Sequence, residues 1–331
     1  MNKPTLKFSL NGLALFLGAM TVLAFGIIIG ANLLFDQSSK RAGSTTAKTA
    51  VSSAMTSTTA PAVAAPTAHT AFSPQPPSKL PDGEYGKVIR LGEQVFMETG
   101  KYAGRYVGNN LSCVNCHLDA GRKPDSAPMW AAFVRYPAFR SKTGKVDTLA
   151  ARIQGCFLYS MNGKAPPLDD EIVTALQTYA FWLAKGAPVG TAMPGSGYPK
   201  LKKPAQLADY GRGEKVYAQN CALCHGADGQ GQRADDKQVF PPLWGAKSFN
   251  WGAGMHQLAN AAGFIQANMP LGKGGTLSEQ DAWDVAMFMN SHERPQDPRF
   301  SGSVEATRKK YHDSDDSMYG RTVNGHVLGG R

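Results

Sequence analysis

Four of the five cysteines lie in two short motifs that end in histidine. Each motif reads Cys-x-x-Cys-His, the attachment signature of c-type haem. The spacing suits that chemistry, because two thiols add to the porphyrin vinyl groups while the adjacent histidine reaches the iron. A zinc site or a redox-active cysteine pair would not require this histidine. The sequence therefore predicts two covalently bound haem c groups, each with its iron, held by Cys113, Cys116 and His117 and by Cys221, Cys224 and His225.

The fifth cysteine, Cys156, has no partner in these motifs. A lone cysteine is often only a small buried hydrophobic residue, but an unpaired thiol in an oxidising compartment is a liability unless it has a role. Arg152, Cys156 and Ser160 are spaced so that a helix would place all three on one face. An arginine beside a cysteine favours the thiolate, which binds iron and attacks sulfur. Position in the repeat alone would instead make Met161 the second ligand of the first haem.

The second haem also needs a second axial ligand or an open site. Met269 precedes a proline on a Gly-rich loop ahead of the last predicted helix, where cytochromes c place their methionine. Met193 has a similar Met-Pro context but lies in the predicted linker. The alternatives on the same unit are Met255, His256, Met287 and Met289. We predict His225 and Met269 as the two ligands of this iron.

Similar helices are predicted around both motifs. One helix near Gly92 leads to the first motif, and one near Gly213 leads to the second. Apolar residues at helical spacing behind a capping residue predict a closing helix in each unit. They are Ile172, Leu176, Tyr179 and Leu183 behind Asp169 or Asp170, and Ala282, Val285, Ala286 and Met289 behind Ser278.

This order of elements, repeated once, resembles the cytochrome c fold in tandem. We therefore expect a mostly α protein with two cytochrome c-like domains. The expected bounds are an N-terminal domain at 81–190, a linker at 191–204, a C-terminal domain at 205–295 and a surface tail at 296–331.

The segment 1–35 is predicted to direct the chain to a membrane. Lys3 and Lys7 precede an apolar run over 13–35, which is long enough to span a bilayer with the amino terminus in the cytoplasm. A cleaved signal peptide is the alternative. Residues 36–80 are rich in Ala, Ser, Thr and Pro and predict a disordered tether. In either case the remaining chain is expected in the periplasm, where bacteria attach haem to such motifs, and an anchor would hold it at the inner membrane.

The distribution of charge restricts the partners. Six basic residues and one acidic residue within 1–80 account for half of the net charge of +10. The exported part is therefore modestly positive, which favours anionic substrates or acidic electron partners. No basic run is interleaved with aromatic residues, so we expect no binding to nucleic acid.

Three segments resemble the dihaem thiosulfate dehydrogenases, also called tetrathionate reductases. They are the stretch from Arg152 to Gly163 (RIQGCFLYSMNG), the stretch from Cys116 to Arg122 and the tail from His292 to Gly329. The resemblance implies Cys156 as second ligand of the first haem and lysine or methionine at the second. Asn268 precedes Met269 here, so the lysine of members that exchange ligands is absent. This departure favours steady ligation of the second iron by His225 and Met269.

The implied reaction joins two thiosulfate anions into tetrathionate and releases two electrons to another redox protein such as a cytochrome c, or runs in reverse. We predict that Cys156 leaves the iron and forms a covalent adduct, which a second thiosulfate then attacks. Arg152 would offset the sulfonate charge and Ser160 would donate a hydrogen bond. Arg152 bound to a haem propionate and Ser160 as a loop cap are the alternatives. Further cations for the site are Lys142, Lys145 and Lys164.

Two other functions are compatible with the motifs. A non-enzymatic dihaem electron carrier would have His/Met ligation at both irons and no reactive thiol. A sulfur-carrier cytochrome would hold a sulfur chain on Cys156 for another enzyme, and activity from thiosulfate alone would distinguish it from the dehydrogenase.

Overall fold

The computed structural model describes residues 72–235 and 237–330, which belong to one compact unit. The predicted anchor and the predicted tether up to residue 71 lie outside these residues. Within the described part, no helix is both long and apolar enough to cross a membrane. The described chain is mostly helical, as the sequence predicted, and its strands form three short two-stranded hairpins.

The first half contains six helices and one hairpin. The helices are α1 (Gly83–Met97), α2 (Thr99–Tyr102), α3 (Leu118–Gly121), α4 (Met129–Arg135), α5 (Leu149–Gly155) and α6 (Glu171–Leu183). A π-helical segment, Cys156–Ser160, continues α5 without a break. The hairpin pairs β1 (Ala138–Arg140) with β2 (Lys145–Asp147) in antiparallel register.

The second half repeats this plan and adds the tail. Its helices are α7 (Tyr210–Asn220), α8 (Ala222–His225), α9 (Leu258–Asn268), α10 (Glu279–Asn290) and, in the tail, α11 (Val304–Tyr311). Its hairpins are β3 (Gln232–Ala234) with β4 (Lys237–Phe240), and β5 (Thr322–Val323) with β6 (His326–Val327).

The two closing helices confirm the periodicity read from the sequence. Asp170 accepts a hydrogen bond from the Ile172 amide at 2.9 Å and caps α6, while Ser278 accepts one from Asp281 at 3.0 Å and caps α10. The predicted apolar residues of both helices are buried.

Each closing helix crosses the first helix of its domain at a glycine. A methyl group on Gly92 would collide with the Ala175 carbonyl, and one on Gly213 would collide with the Asp284 carbonyl. Hydrogen at these positions lets the helix backbones touch. The same crossing therefore forms the centre of each of two separate hydrophobic cores.

The tail packs onto the second domain. Met318, Tyr319 and Leu328 are buried in the second core, although the sequence predicted a surface segment here. Ser303 caps α11 by accepting from the Ala306 amide at 3.0 Å. This packing places the start of the tail and the end of α11 beside the Cys-x-x-Cys-His motif of the first domain.

Candidate active site

The histidine of each Cys-x-x-Cys-His motif is oriented by a backbone carbonyl. His117 donates from Nδ1 to the Ala127 oxygen at 2.7 Å, and His225 donates from Nδ1 to the Pro241 oxygen at 3.0 Å. This fixes the tautomer and leaves Nε2 available for a metal. Burial lowers the pKa of His117 to about 4 and lowers that of His225, so both rings are neutral near pH 7. The residues of both motifs therefore fit a covalently bound haem c.

A cavity of about 580 Å³ opens beside the first motif. Cys116 and His117 form part of its wall, together with Arg152 and Ser160 from the segment around Cys156. Among the described residues that line it, none is acidic. Its six cationic side chains are Arg135, Arg140, Lys142, Arg152, Arg299 and Lys310. Because Cys116 and His117 are in its wall, this cavity would also hold the first haem. Its cationic lining favours anions, which include the haem propionates as well as an anionic substrate.

Cys156 stands where α5 changes into the π-helical segment. Thr148 caps α5 by accepting from the Ala151 amide at 3.2 Å, and Arg152 lies one turn before the cysteine. The Arg152 Nη1 atom is 2.8 Å from the Cys156 sulfur, as their spacing predicted. The adjacent Cys156 raises the pKa of Arg152 against the opposing effect of burial, so the guanidinium stays charged. This pair can stabilise a thiolate.

Segments distant in sequence hold the π-helical segment in place. Asn250 of the second domain is buried and donates from Nδ2 to the Leu158 carbonyl at 2.9 Å and to Asn162 Oδ1 at 3.0 Å. Asn109 donates to the carbonyl of Ser160 at 2.8 Å and to that of Ser248 at 3.1 Å. The segment that carries Cys156 is thus fixed by both domains.

The β1–β2 hairpin supplies two of the cations, and the tail supplies two more. Lys142 lies between the two strands, where it donates to the Gly252 carbonyl and sits 3.6 Å from the centre of the Tyr159 ring. Arg299 of the tail lies 5.3 Å from the same ring. Of the three lysines suggested by the sequence, only Lys142 lines the cavity, because Lys145 and Lys164 are exposed elsewhere.

A buried network of tail residues holds Arg299. Asp297 accepts from Arg299 Nε at 3.0 Å and Nη2 at 2.6 Å, and also from His312 Nε2 at 2.9 Å. The other His312 ring nitrogen lies 3.2 Å from Nε2 of His256, which lines the cavity. Burial opposes the effect, but these hydrogen bonds keep the pKa of Asp297 well below its ordinary value. Arg299 therefore has a fixed, ionised partner.

The side chains considered for the second iron lie in different surroundings. Met269 follows α9 and packs, half-buried, against the second core. Met289 is buried in that core, and Met255 packs against the first. Both ring nitrogens of His256 are engaged, one by the Ala253 carbonyl and one by His312. Asn268, the residue before Met269, donates from Nδ2 to the Asp125 carbonyl at 2.9 Å.

Comparison with known proteins identifies both halves of the described chain. Residues 102–189 match the family described as SoxA/TsdA, cytochrome c domain. Residues 208–289 match the family described as cytochrome C oxidase, cbb3-type, subunit III. The prediction of two cytochrome c domains is thereby confirmed, and domains of this class carry covalently bound haem c.

Relatives that match more than three quarters of the chain share one name. The thiosulfate dehydrogenase of Thiomonas intermedia (strain K12) is 58% identical over 258 residues, covering 78% of this chain and 82% of the relative. That of Stutzerimonas stutzeri (strain A1501) is 53% identical over 260 residues, covering 78% and 85%. The structure of thiosulfate dehydrogenase (TsdBA) from Marichromatium purpuratum, "as isolated" form, matches with a TM-score of 0.77 and 52% identity. That match covers 79% of this chain and 58% of the longer one.

Proposed function

This chain belongs to the thiosulfate dehydrogenase family, and on that premise we propose that it couples two thiosulfate anions into tetrathionate with release of two electrons, or catalyses the reverse reduction. One observation carries the proposal. The Arg152 guanidinium lies 2.8 Å from the Cys156 sulfur beside a cavity lined by cations and no described acidic residue.

Two haem c groups are part of the proposal. Cys113 and Cys116 would hold the first and Cys221 and Cys224 the second, each through thioether bonds. The proposed iron ligands are His117 with Cys156 and His225 with Met269. When bound, each haem supplies a site that accepts one electron at a time.

The proposed chemistry at Cys156 has two steps. With its sulfur not bound to iron, the Cys156 thiolate would form a bond to the terminal sulfur of one thiosulfate. The resulting Cys–S–S–SO₃⁻ adduct has two electrons fewer than its two reactants, and the two haems, when bound, would accept these electrons. The terminal sulfur of a second thiosulfate then attacks the sulfur bound to Cys156. The bond to Cys156 breaks, tetrathionate leaves and the thiolate is restored. Release from iron matters because a tightly coordinated thiolate is a poor nucleophile.

Arg152 and Ser160 assist these steps. Arg152 stabilises the thiolate before reaction and the sulfonate charge of the adduct afterwards. Ser160 lines the cavity four residues beyond Cys156 and donates a hydrogen bond to the same sulfonate. Both effects offset the repulsion between two dianions that must meet at one sulfur.

The second domain passes the electrons outward. Exposed apolar side chains on or close to the segments that carry its proposed haem residues support a docking surface for another redox protein, such as a cytochrome c. They are Leu223 (85% exposed), Val239 (51%) and Leu271 (62%). We further propose a periplasmic location, with the segment at 13–35 as the anchor in the inner membrane.

An anaerobic assay with a dye as electron acceptor or donor tests the proposal in both directions. We expect tetrathionate from thiosulfate without any added enzyme, a result that a sulfur carrier or a pure electron carrier would not give. Mass spectrometry after incubation with tetrathionate should find the S–SO₃⁻ adduct on the Cys156 peptide and not in Cys156→Ser. Full turnover by Cys156→Ser would refute the covalent route.

A further inference from the structure

Tyr159 is contacted by two segments that the proposed chemistry at Cys156 does not use directly, the β1–β2 hairpin and the tail. Its ring lies on the π-helical segment, three residues beyond the cysteine, and faces the cavity. Lys142 of the hairpin approaches the ring centre to 3.6 Å and Arg299 of the tail to 5.3 Å. Two cations from different parts of the chain thus lie against the Tyr159 ring, close to the Cys156 sulfur.

The charges around Tyr159 are unequally compensated. Arg299 is paired with Asp297 at 2.6 Å, and Arg140 is paired with Asp147 at 3.5 Å. Lys142, by contrast, donates a hydrogen bond to a neutral carbonyl, that of Gly252. Burial, followed by the nearby cations, lowers the pKa of this lysine to about 7. Assembling a half-buried ammonium among guanidinium groups is unfavourable unless an anion joins them.

We propose that Lys142 and Arg299, both set against the Tyr159 ring, form the subsite that binds the sulfonate of the second, attacking thiosulfate. The inference rests on the proposed function and extends it, because it names where the second anion sits. It also makes the tail, through Arg299, a part of the substrate site.

The subsite at Lys142 and Arg299 lies at a different place in the cavity from the site of the first thiosulfate at Arg152 and Cys156. Arg152 is already committed to the Cys156 sulfur at 2.8 Å, so the first thiosulfate-derived unit occupies that end of the cavity. Tyr159 lies further along the π-helical segment, and Gly252 of the second domain closes the space behind Lys142. A second thiosulfate bound by its sulfonate at Lys142 and Arg299 keeps its terminal sulfur free to reach the adduct on Cys156. Its charge is offset by these two cations, which the first thiosulfate does not contact.

Asp297 and His312 act as positioning residues. The double hydrogen bond from Arg299 to Asp297 fixes the plane of the guanidinium. The buried His312 donates from Nε2 to Oδ2 of the same carboxylate. The other edge of the Arg299 guanidinium is left to bind an anion. The hydrogen bonds to Asp297 hold this edge in one orientation, which a flexible arginine side chain would not keep by itself.

Steady-state and single-turnover kinetics of the haem-loaded protein test the proposal with Lys142→Met. Loss of a charged hydrogen-bond donor should raise KM for thiosulfate by about tenfold or more. The first reduction of the haems by thiosulfate should keep its wild-type concentration dependence, because it needs only the anion at Cys156. The adduct on the Cys156 peptide should accumulate during turnover, and Lys142→Arg should restore most of the affinity.

Lys145→Met is the matched control, since Lys145 is an exposed lysine on the same hairpin, and it should behave as wild type. Equal KM values for the two Met variants would overturn the proposal. So would an equal loss in the first reduction, which would assign Lys142 to the first anion. A changed potential of the first haem with unchanged KM would assign the lysine to a propionate instead. A wild-type protein that oxidises no thiosulfate would refute the proposed function itself, and this subsite with it.

Discussion

The first Cys-x-x-Cys-His motif borders a cavity with six cationic side chains, whereas the second lies among exposed apolar ones such as Leu223 and Leu271. Both motifs sit on the same helical plan, with a glycine crossing and a capped closing helix. The difference comes from what other segments bring to the motif. The first receives an asparagine and a glycine carbonyl from the second domain and two cations from the tail.

This asymmetry indicates how a duplicated fold separates two tasks. A substrate site needs charges in fixed positions and shielding from water, which requires several chain segments to converge. A site that only passes electrons needs an accessible edge and a stable ligand set. Variants in each half and a pH profile test whether the first domain carries the substrate chemistry and the second only transfers electrons.

The largest expected effect distinguishes Cys156 from Met269, the two proposed sulfur ligands. Cys156→Ser should lower thiosulfate oxidation by at least about a thousandfold, because it removes the nucleophile. Met269→Gly should leave reduction of the first haem by thiosulfate intact. It should abolish the weak near-infrared band expected of a methionine-ligated ferric haem. Absorption spectra and stopped-flow traces of both variants measure this, and a band that survives would redirect the assignment to Met255 or α10.

The second prediction removes the hydrogen bonds by which Asn250 of the second domain holds the π-helical segment of the first. Asn250→Ala should lower the free energy of unfolding by about 3 kcal/mol, because it removes a buried side chain and leaves its half-buried partners Leu158 and Asn162 without these hydrogen bonds. Turnover should fall as well, since the π-helical segment loses its anchor to the second domain. Denaturant titration and steady-state rates measure both effects. Asn220→Ala, which removes an exposed side chain bonded only within α7, is the control and should change neither.

The third prediction concerns what the halves share. Gly92→Ala and Gly213→Ala should each destabilise the protein by about 2 kcal/mol, because the added methyl group forces apart the crossing helices. Gly100→Ala meets no atom within 4 Å and is the control. Thermal unfolding of the three variants compares them. A large loss at only one crossing would mean that the two domains are not equivalent in stability.

The residues that sequence alone could place are those governed by local rules. Helical periodicity and capping located α6 and α10, and the spacing of four residues brought Arg152 to Cys156. The motifs themselves named the haem residues. None of these inferences required knowledge of the tertiary structure.

The residues that sequence could not place depend on long-range packing. Arg299 lies in a segment without helical or strand periodicity, and Asn250 contacts a segment about ninety residues away in the chain. The sequence does not distinguish Lys142 from Lys145 and Lys164, and only the fold of the hairpin places Lys142 at the cavity. The buried tail residues Met318 and Tyr319 follow no pattern that distinguishes a core from a surface loop.

The smallest expected effect is a pH dependence that only the first site should show. Lys142 has a pKa of about 7, lowered by burial and then by Arg299, Arg152 and Arg140. Its other close neighbours are the Tyr159 ring and, more distant, the Asp297 carboxylate, which opposes the shift.

The sign follows from which form binds the anion. The ammonium is present below about pH 7 and is lost above it, whereas an exposed lysine stays charged to about pH 10. KM for thiosulfate should therefore rise by up to about tenfold between pH 6 and 8, since one charged donor is lost. Lys142→Arg should flatten this rise, because its guanidinium remains charged. The midpoint potential of the second haem, whose motif lies apart from this lysine, should stay level over the same range. A KM that is independent of pH in wild type, or equally dependent in Lys142→Arg, would show that another group controls the affinity.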